Sequence, residues 1–431
     1  MDRRDFLKIS TLAAVAAGVP AIAREDGRRS GAAMVEKNAD GISILGYGCM
    51  RWPVTKGDDG KNHVNQEAVN ELVEEAMRHG VTYFDTAPVY MKGESEHTTS
   101  VALNRYPRSE WILATKLSNF RDWSYEASVK MYRNSLEQFN TDYIDYYLLH
   151  SIRDIAGFNK RFGDTGIMEF LMKEREAGHI RNLGFSFHGT PEVLREMMDL
   201  DERYHWDFVQ IEMNYLEWTK GGRAKELYEI LEERGIPIMV MEPLRGGALA
   251  TIPEHLAVSL KEREPDRSIA SWAFRFVGSF PAVTTVLSGM TYMDHLKDNL
   301  ETFGDFKPLE ESDFALLEEI AEDITEYPLV NCTSCQYCMP CPYGIDIPGV
   351  FGFYNRNVNA GTYVKSSEQK GYSRLRCRYI SGYDRAVEKS GQADHCIMCG
   401  KCMKACPQKI KIPAELRRID EYVENLKRGE L

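Results

Sequence analysis

The chain has 431 residues, 43% of them hydrophobic and 27% charged, enough to bury a large core and a smaller second one. A formal charge of −12 argues against a nucleic-acid-binding surface, and no apolar run approaches the roughly 20 residues of a membrane span. The charge is uneven: beyond residue 328, 16 Lys and Arg face 10 Asp and Glu, a net +6, which leaves −18 before it. A basic tail beside an acidic body can dock on that body or on an acidic partner, or carry only solvated surface charge.

The chain opens on a stretch that reads as targeting. Arg3 and Arg4 are followed by Phe6, Leu7 and Lys8, then by a weakly apolar run ending at the small-x-small site Ala21-Ile22-Ala23. Residues 1–23 resemble a twin-arginine signal peptide. The resemblance implies recognition by the twin-arginine export machinery and a periplasmic destination, reached by an already folded protein.

Short apolar runs then alternate with amphipathic segments. The runs are 43–49, 81–86, 111–116, 145–150, 180–186, 208–214, 237–243 and 282–289. Helical patterns such as QEAVNELVEEAMRHG and RAKELYEILEERG fill the gaps and close on glycine. Eight strands, each followed by a helix, predict an α/β fold, a closed parallel (β/α)8 TIM barrel, over 36–305. In such a barrel the chemistry sits at the C-terminal ends of the strands. A further helix at 310–326, within a linker at 306–328, leads to a mostly helical domain over 329–431.

At those strand ends stand Asp85 and Tyr90 in FDTAPVYMKGESE, Lys116 closing ILATK and His150 closing DYYLLH. In these positions the chain resembles the aldo/keto reductases, whose pattern has Asp and Tyr in DTAxxY, Lys in TK and His in LLH. The resemblance implies a carbonyl reductase, or alcohol oxidase in reverse, acting on a small molecule. Reduction needs a hydride on carbon and a proton on oxygen. A free tyrosine is a poor acid at neutral pH, so Lys116, held by Asp85, is expected to lower the pKa of Tyr90. His150 is expected to orient the carbonyl.

The resemblance also implies a nicotinamide cofactor, NADP or NAD. LGYGCMRWP, with Gly48 and Met50, is similar to the family's glycine-rich first strand, and Ser186 and Gln210 match positions that hold the carboxamide. Phe187 replaces an expected Asn. Aligned on Asn299, the basic residues that grip a 2′-phosphate become Gly289 and His295, so selectivity for NADPH is not expected.

Eight of the ten cysteines fall in two runs, Cys332, Cys335, Cys338 and Cys341, then Cys396, Cys399, Cys402 and Cys406. C-x2-C-x2-C-x3-C-P holds [4Fe–4S] clusters; the second run matches it through Pro407, and the first is one residue shorter. Zinc, a disulfide framework and a single cluster remain alternatives. With two clusters, the ferredoxin rule has each run's fourth cysteine ligate the other cluster. Cys332, Cys335 and Cys338 then take Cys406, and Cys396, Cys399 and Cys402 take Cys341. Cys49 and Cys377 read as buried thiols. With the cysteine tail, the chain resembles the iron–sulfur branch of the reductase family, and a protein redox partner becomes possible. Two rivals stay open: an electron-transfer protein on a non-catalytic barrel, and a reductase with purely structural clusters.

Overall fold

The computed structural model describes residues 34–58, 60–219, 222–325 and 329–431; the twin-arginine segment lies outside the described residues. Eight parallel strands form where the apolar runs predict them: β1 Leu45–Gly48, β2 Tyr83–Asp85, β3 Ile112–Leu117, β4 Ile144–Ile152, β5 Ile180–Phe187, β6 Phe208–Glu212, β7 Ile238–Met241 and β8 Val283–Ser288. Each pairs with its neighbours in sequence, and β1 closes on β8 through Leu45 and Val286. Strands covered on both faces read as unbroken apolar runs, and all nine residues of β4 are buried.

The surrounding helices carry the expected single apolar stripe. Helix Gln66–Arg78 buries Val69, Leu72, Val73 and Ala76, and the Asn65 side chain caps it by accepting from the Ala68 amide. Ser124 caps helix Tyr125–Phe139 in the same way. A short antiparallel hairpin, Val54–Lys56 with Asn62–Val64, follows β1. Its solvent-facing residues carry no apolar alternation, so no strand is expected there.

Helix Glu311–Thr325 leads towards the second lobe. That lobe is built on three helices, Ile347–Asn359, Tyr372–Ala386 and Ile412–Arg428. Phe351, Tyr354, Tyr379, Tyr383, Ile419 and Tyr422 form its core. Asn355 fixes the chain's entry: its side chain donates to the Val330 carbonyl at 2.7 Å and accepts from the Val330 amide at 2.9 Å. Cys49 is buried, but Cys377, expected to be buried, is exposed on helix Tyr372–Ala386. Thiol burial there was inferred from residue type, and the position falls on the helix's outer face.

Candidate active site

The barrel mouth is assembled from adjacent strand ends. Asp85 pairs with Ala114 across β2 and β3, so Lys116, two residues on, points to the same interior face. The Lys116 ammonium donates to Asp85 Oδ1 at 2.5 Å and to the Thr86 carbonyl at 2.9 Å. Lys116 is 0% exposed and Asp85 3%, so the pair is held out of water. Lys116 Nζ lies 5.1 Å from the centre of the Tyr90 ring. Tyr90 opens a short turn in which Met91 and Lys92 adopt φ of 51° and 59°. Left-handed backbone costs a non-glycine residue on the order of 1–2 kcal/mol, and such strain concentrates at functional sites. His150, from β4, meets the Tyr90 ring edge-on at 5.7 Å, and its Nδ1 sits 2.6 Å from Ser118 Oγ.

Burial sets the electrostatics. His150 is pushed well below the ordinary imidazole value by burial first and then by Lys116 and Arg161, which makes it a neutral hydrogen-bonding group. Burial pulls Lys116 down and Asp85 up, each offsetting the other's shift, and the short contact holds them as an ion pair. Tyr90 departs from expectation. Burial drives its phenol well above the ordinary value, with Tyr337 and Asp85 adding to the rise. The expected lowering by Lys116 is outweighed because the enclosed phenol lies beside an acidic and a phenolic neighbour.

Tyr337 is the residue that sequence reasoning misses. It stands between Cys335 and Cys338, yet its hydroxyl reaches 2.9 Å from His150 Nε2. No local pattern marks it, because the contact spans 187 residues of sequence. The rest of the second lobe seats on the same strand ends. Arg51 donates to the Thr333 carbonyl, and Arg153 to the carbonyls of Lys404 and Ala405 at 3.2 and 3.1 Å. Gln408 donates to Glu212 at 2.8 Å. Gly246, at φ +66°, presses so closely on Thr333 that a Cβ there would lie 2.6 Å from its backbone. Glu212 is pushed up to about 7, by burial first and then by Glu217 and Glu242.

The residues expected around a cofactor divide into two groups. Gly48 and Gly289 lie side by side at the ends of β1 and β8, with the Arg51 stem against Gly289; Met50, in the turn after β1, is partly buried. Arg51 is thus a basic residue at the position where the sequence shows only Gly289 and an exposed His295. On the opposite side, Ser186 accepts from the Ser151 amide at 2.8 Å. Gln210 Oε1 and His188 Nδ1 are buried without a partner, and the amide oxygen fits a ligand that donates a hydrogen bond. Asn299 instead donates to Ser288 Oγ at 2.8 Å and braces the end of β8.

All ten cysteines are unpaired. Cys332, Cys335, Cys338 and Cys406 line one small pocket with Ile347, Phe351 and Ile412. Cys402 is influenced by Cys396, Cys399 and Cys341, so the second set of four is also brought together. Four thiols around an apolar hollow fit a cubane cluster, whose thiolates are spread over its outer corners. Among the described residues, no trio of His, Cys, Asp or Glu converges as a single metal ion requires.

Comparison with known proteins bears on both lobes. The aldo/keto reductase family model matches residues 44–322, and a 4Fe-4S dicluster domain matches residues 331–411. An uncharacterized oxidoreductase, YqkF, of Bacillus subtilis (strain 168) is 27% identical over 314 residues, 66% of this chain and 94% of its own length. An aldo-keto reductase from Bacillus halodurans, solved in its holo form, superposes with a TM-score of 0.53 at 24% identity, covering 67% of this chain and 96% of that one. An aldo-keto reductase from Klebsiella pneumoniae in complex with NADPH gives 0.52 at 20% identity, covering 65% and 91%.

Proposed function

The chain belongs to the aldo/keto reductase family and is an oxidoreductase, and from that premise we propose that it reduces a small carbonyl compound, or oxidises the matching alcohol, at the barrel mouth. One observation carries the reading: Tyr90, His150, Lys116 and Asp85 converge there with a neutral imidazole and a buried ion pair. Tyr90 delivers the proton to the carbonyl oxygen. His150, hydrogen-bonded to Ser118 through Nδ1, would orient that oxygen through Nε2. Lys116, fixed by Asp85, steadies the phenolate left behind. A nicotinamide, when bound, supplies the hydride. Gln210, with its unpartnered buried oxygen, would hold the carboxamide.

The two cysteine sets would hold two [4Fe–4S] clusters, about eight irons per chain, each set drawing its fourth thiol from the other run. The clusters supply one-electron capacity and the means to pass electrons to a protein partner. The paired arginines support export to the periplasm by the twin-arginine route; replacing Arg3 and Arg4 by lysine should retain the protein in the cytoplasmic fraction.

The deciding experiment is carbonyl-dependent oxidation of NADH or NADPH by anaerobically purified protein, with Tyr90→Phe as control. Proton donation is worth on the order of 10²–10⁴-fold, and that loss is expected with fold and iron content unchanged. Near-full activity in Tyr90→Phe would remove the assignment. A second reading, in which the barrel is a scaffold for electron transfer, is favoured by one observation: the Tyr337 hydroxyl already bonds the His150 nitrogen meant for substrate. Absence of any carbonyl-dependent oxidation, by parent or variants, favours it.

A further inference from the structure

A carbonyl oxygen in this family's chemistry would accept hydrogen bonds from the Tyr90 hydroxyl and from His150 Nε2. One of those groups already holds an oxygen that belongs to the protein. The Tyr337 hydroxyl lies 2.9 Å from His150 Nε2, and the Tyr90 ring stands edge-on to the same imidazole at 5.7 Å. The Tyr337 oxygen thus sits on the nitrogen to which a carbonyl would turn. Phe120 flanks both rings, 5.0 Å from His150 and 6.1 Å from Tyr337. Tyr337 therefore occupies His150 Nε2, the nitrogen a substrate carbonyl would need.

The loop that delivers Tyr337 is short and bounded on both sides by cysteines of one thiol set. It is seated by Arg51 and Gly246 on Thr333, and it carries left-handed backbone at two non-glycine residues, Ser334 and Gln336, with φ of 54° and 63°. Strained backbone of this kind persists only where its surroundings over-determine it. One of those surroundings is the hydrogen bond to His150.

Resting on the carbonyl-reductase reading above, we propose that Tyr337 is an internal ligand of the carbonyl site: its phenol oxygen stands where the substrate oxygen binds, and substrate enters only as the Cys335–Cys338 loop withdraws. A site that is open only part of the time shows an affinity reduced by the open fraction. The coupling is reciprocal: whatever stabilises the withdrawn loop favours substrate, and substrate favours the withdrawn loop. Because that loop carries two thiols of one set, occupancy of the barrel is felt at the metal group.

The test uses the anaerobically purified, iron-loaded protein and benzaldehyde as the probe carbonyl, with binding measured by calorimetry and so independent of turnover. Tyr337→Ala is expected to bind benzaldehyde at least tenfold more tightly than the parent. With NADH or NADPH its kcat/KM should rise by a similar factor, chiefly through KM. Tyr337→Phe keeps the ring and the loop packing, loses the hydrogen bond to His150, and should gain a few-fold; it also serves if Tyr337→Ala fails to retain iron. Benzaldehyde should alter the paramagnetic resonance signal of the reduced parent protein and should not do so in Tyr337→Ala. Equal or undetectable binding in parent and both variants overturns the proposal, as does loss of turnover in Tyr337→Phe, which would make the phenol a participant. Adding Tyr90→Phe to Tyr337→Ala separates the two readings. Tighter binding without turnover upholds both, whereas tighter binding with turnover intact upholds the internal ligand and removes Tyr90 as the acid.

Discussion

The barrel and the cysteine-bearing lobe are held together by different means. The barrel closes eight strands on themselves and wraps them in helices, so its core of Trp111, Trp272, Phe185 and their neighbours is buried without help from any bound group. The lobe packs three helices around a tyrosine-rich core in which Tyr363 and Tyr422 stack at 4.5 Å. Its eight clustered thiols lie in irregular loops that lack strand or long-helix support. A domain of about 100 residues with irregular thiol loops is expected to depend on a bound metal for part of its stability. The barrel closes on itself, the lobe does not, and Tyr337 joins them at His150.

The largest effect should come from removing the metal. Chelation under air is expected to unfold the lobe while the barrel persists, giving two separate transitions in calorimetry and a loss of helical signal first. A single cooperative transition, unchanged by chelator, would erase the distinction between the lobes. Next is the ion pair at the barrel's centre. Lys116→Met strands the Asp85 carboxylate, and breaking a buried pair costs about 3–5 kcal/mol. The cost should fall on the barrel's denaturant midpoint and spare the lobe, and adding Asp85→Asn should restore most of it.

A smaller effect concerns the seam. Glu212 titrates near 7 in the folded protein against an ordinary value of 4.5, so the folded state holds the proton more tightly. Stability should therefore fall as pH rises between those values and then level off. The full shift corresponds to roughly 3 kcal/mol at about 1.36 kcal/mol per unit. Glu212→Gln is expected to flatten that slope, read from denaturation midpoints between pH 4.5 and 8. The smallest effect is at the cofactor. With Gly289 and His295 in place of a basic clamp, NADPH and NADH should bind within tenfold of each other. A larger preference for NADPH in a titration would assign the 2′-phosphate to Arg51, and Arg51→Ala should then abolish it.

The two regions also differ in how far the sequence discloses them. Barrel strands announce themselves because each must be apolar on both faces, and a family pattern of Asp, Lys and His at their ends needs only strand order to be assembled. Asp85 and Lys116 are read correctly as neighbours for that reason. The two cysteine runs are legible from spacing; which fourth cysteine joins which run is an expectation from the ferredoxin rule. Two things are not legible. The fate of the Tyr90 proton depends on enclosure by a distant lobe, and residue type alone suggests the opposite shift. Tyr337 is a spacer in a C-x2-C run, and only the docking of one lobe on the other gives it a partner. Arg51 is similar, three residues past a glycine-rich strand and silent until β8 is brought beside it.

Strand β4 grips the second lobe twice. His150 holds Tyr337, three residues after Ser334 in the first cysteine run, while Arg153, just past the strand, holds the carbonyls immediately before Cys406 in the second. Those two runs supply the thiols of a single set. The end of β4 is therefore a caliper whose jaws rest on opposite sides of that set. Ser151 lies between them at φ 62°, where the pairing of β4 with β5 shifts register, so the two jaws are joined by an irregular strand end. A change in the width of what the thiols enclose would be divided among the imidazole, that bend and the arginine.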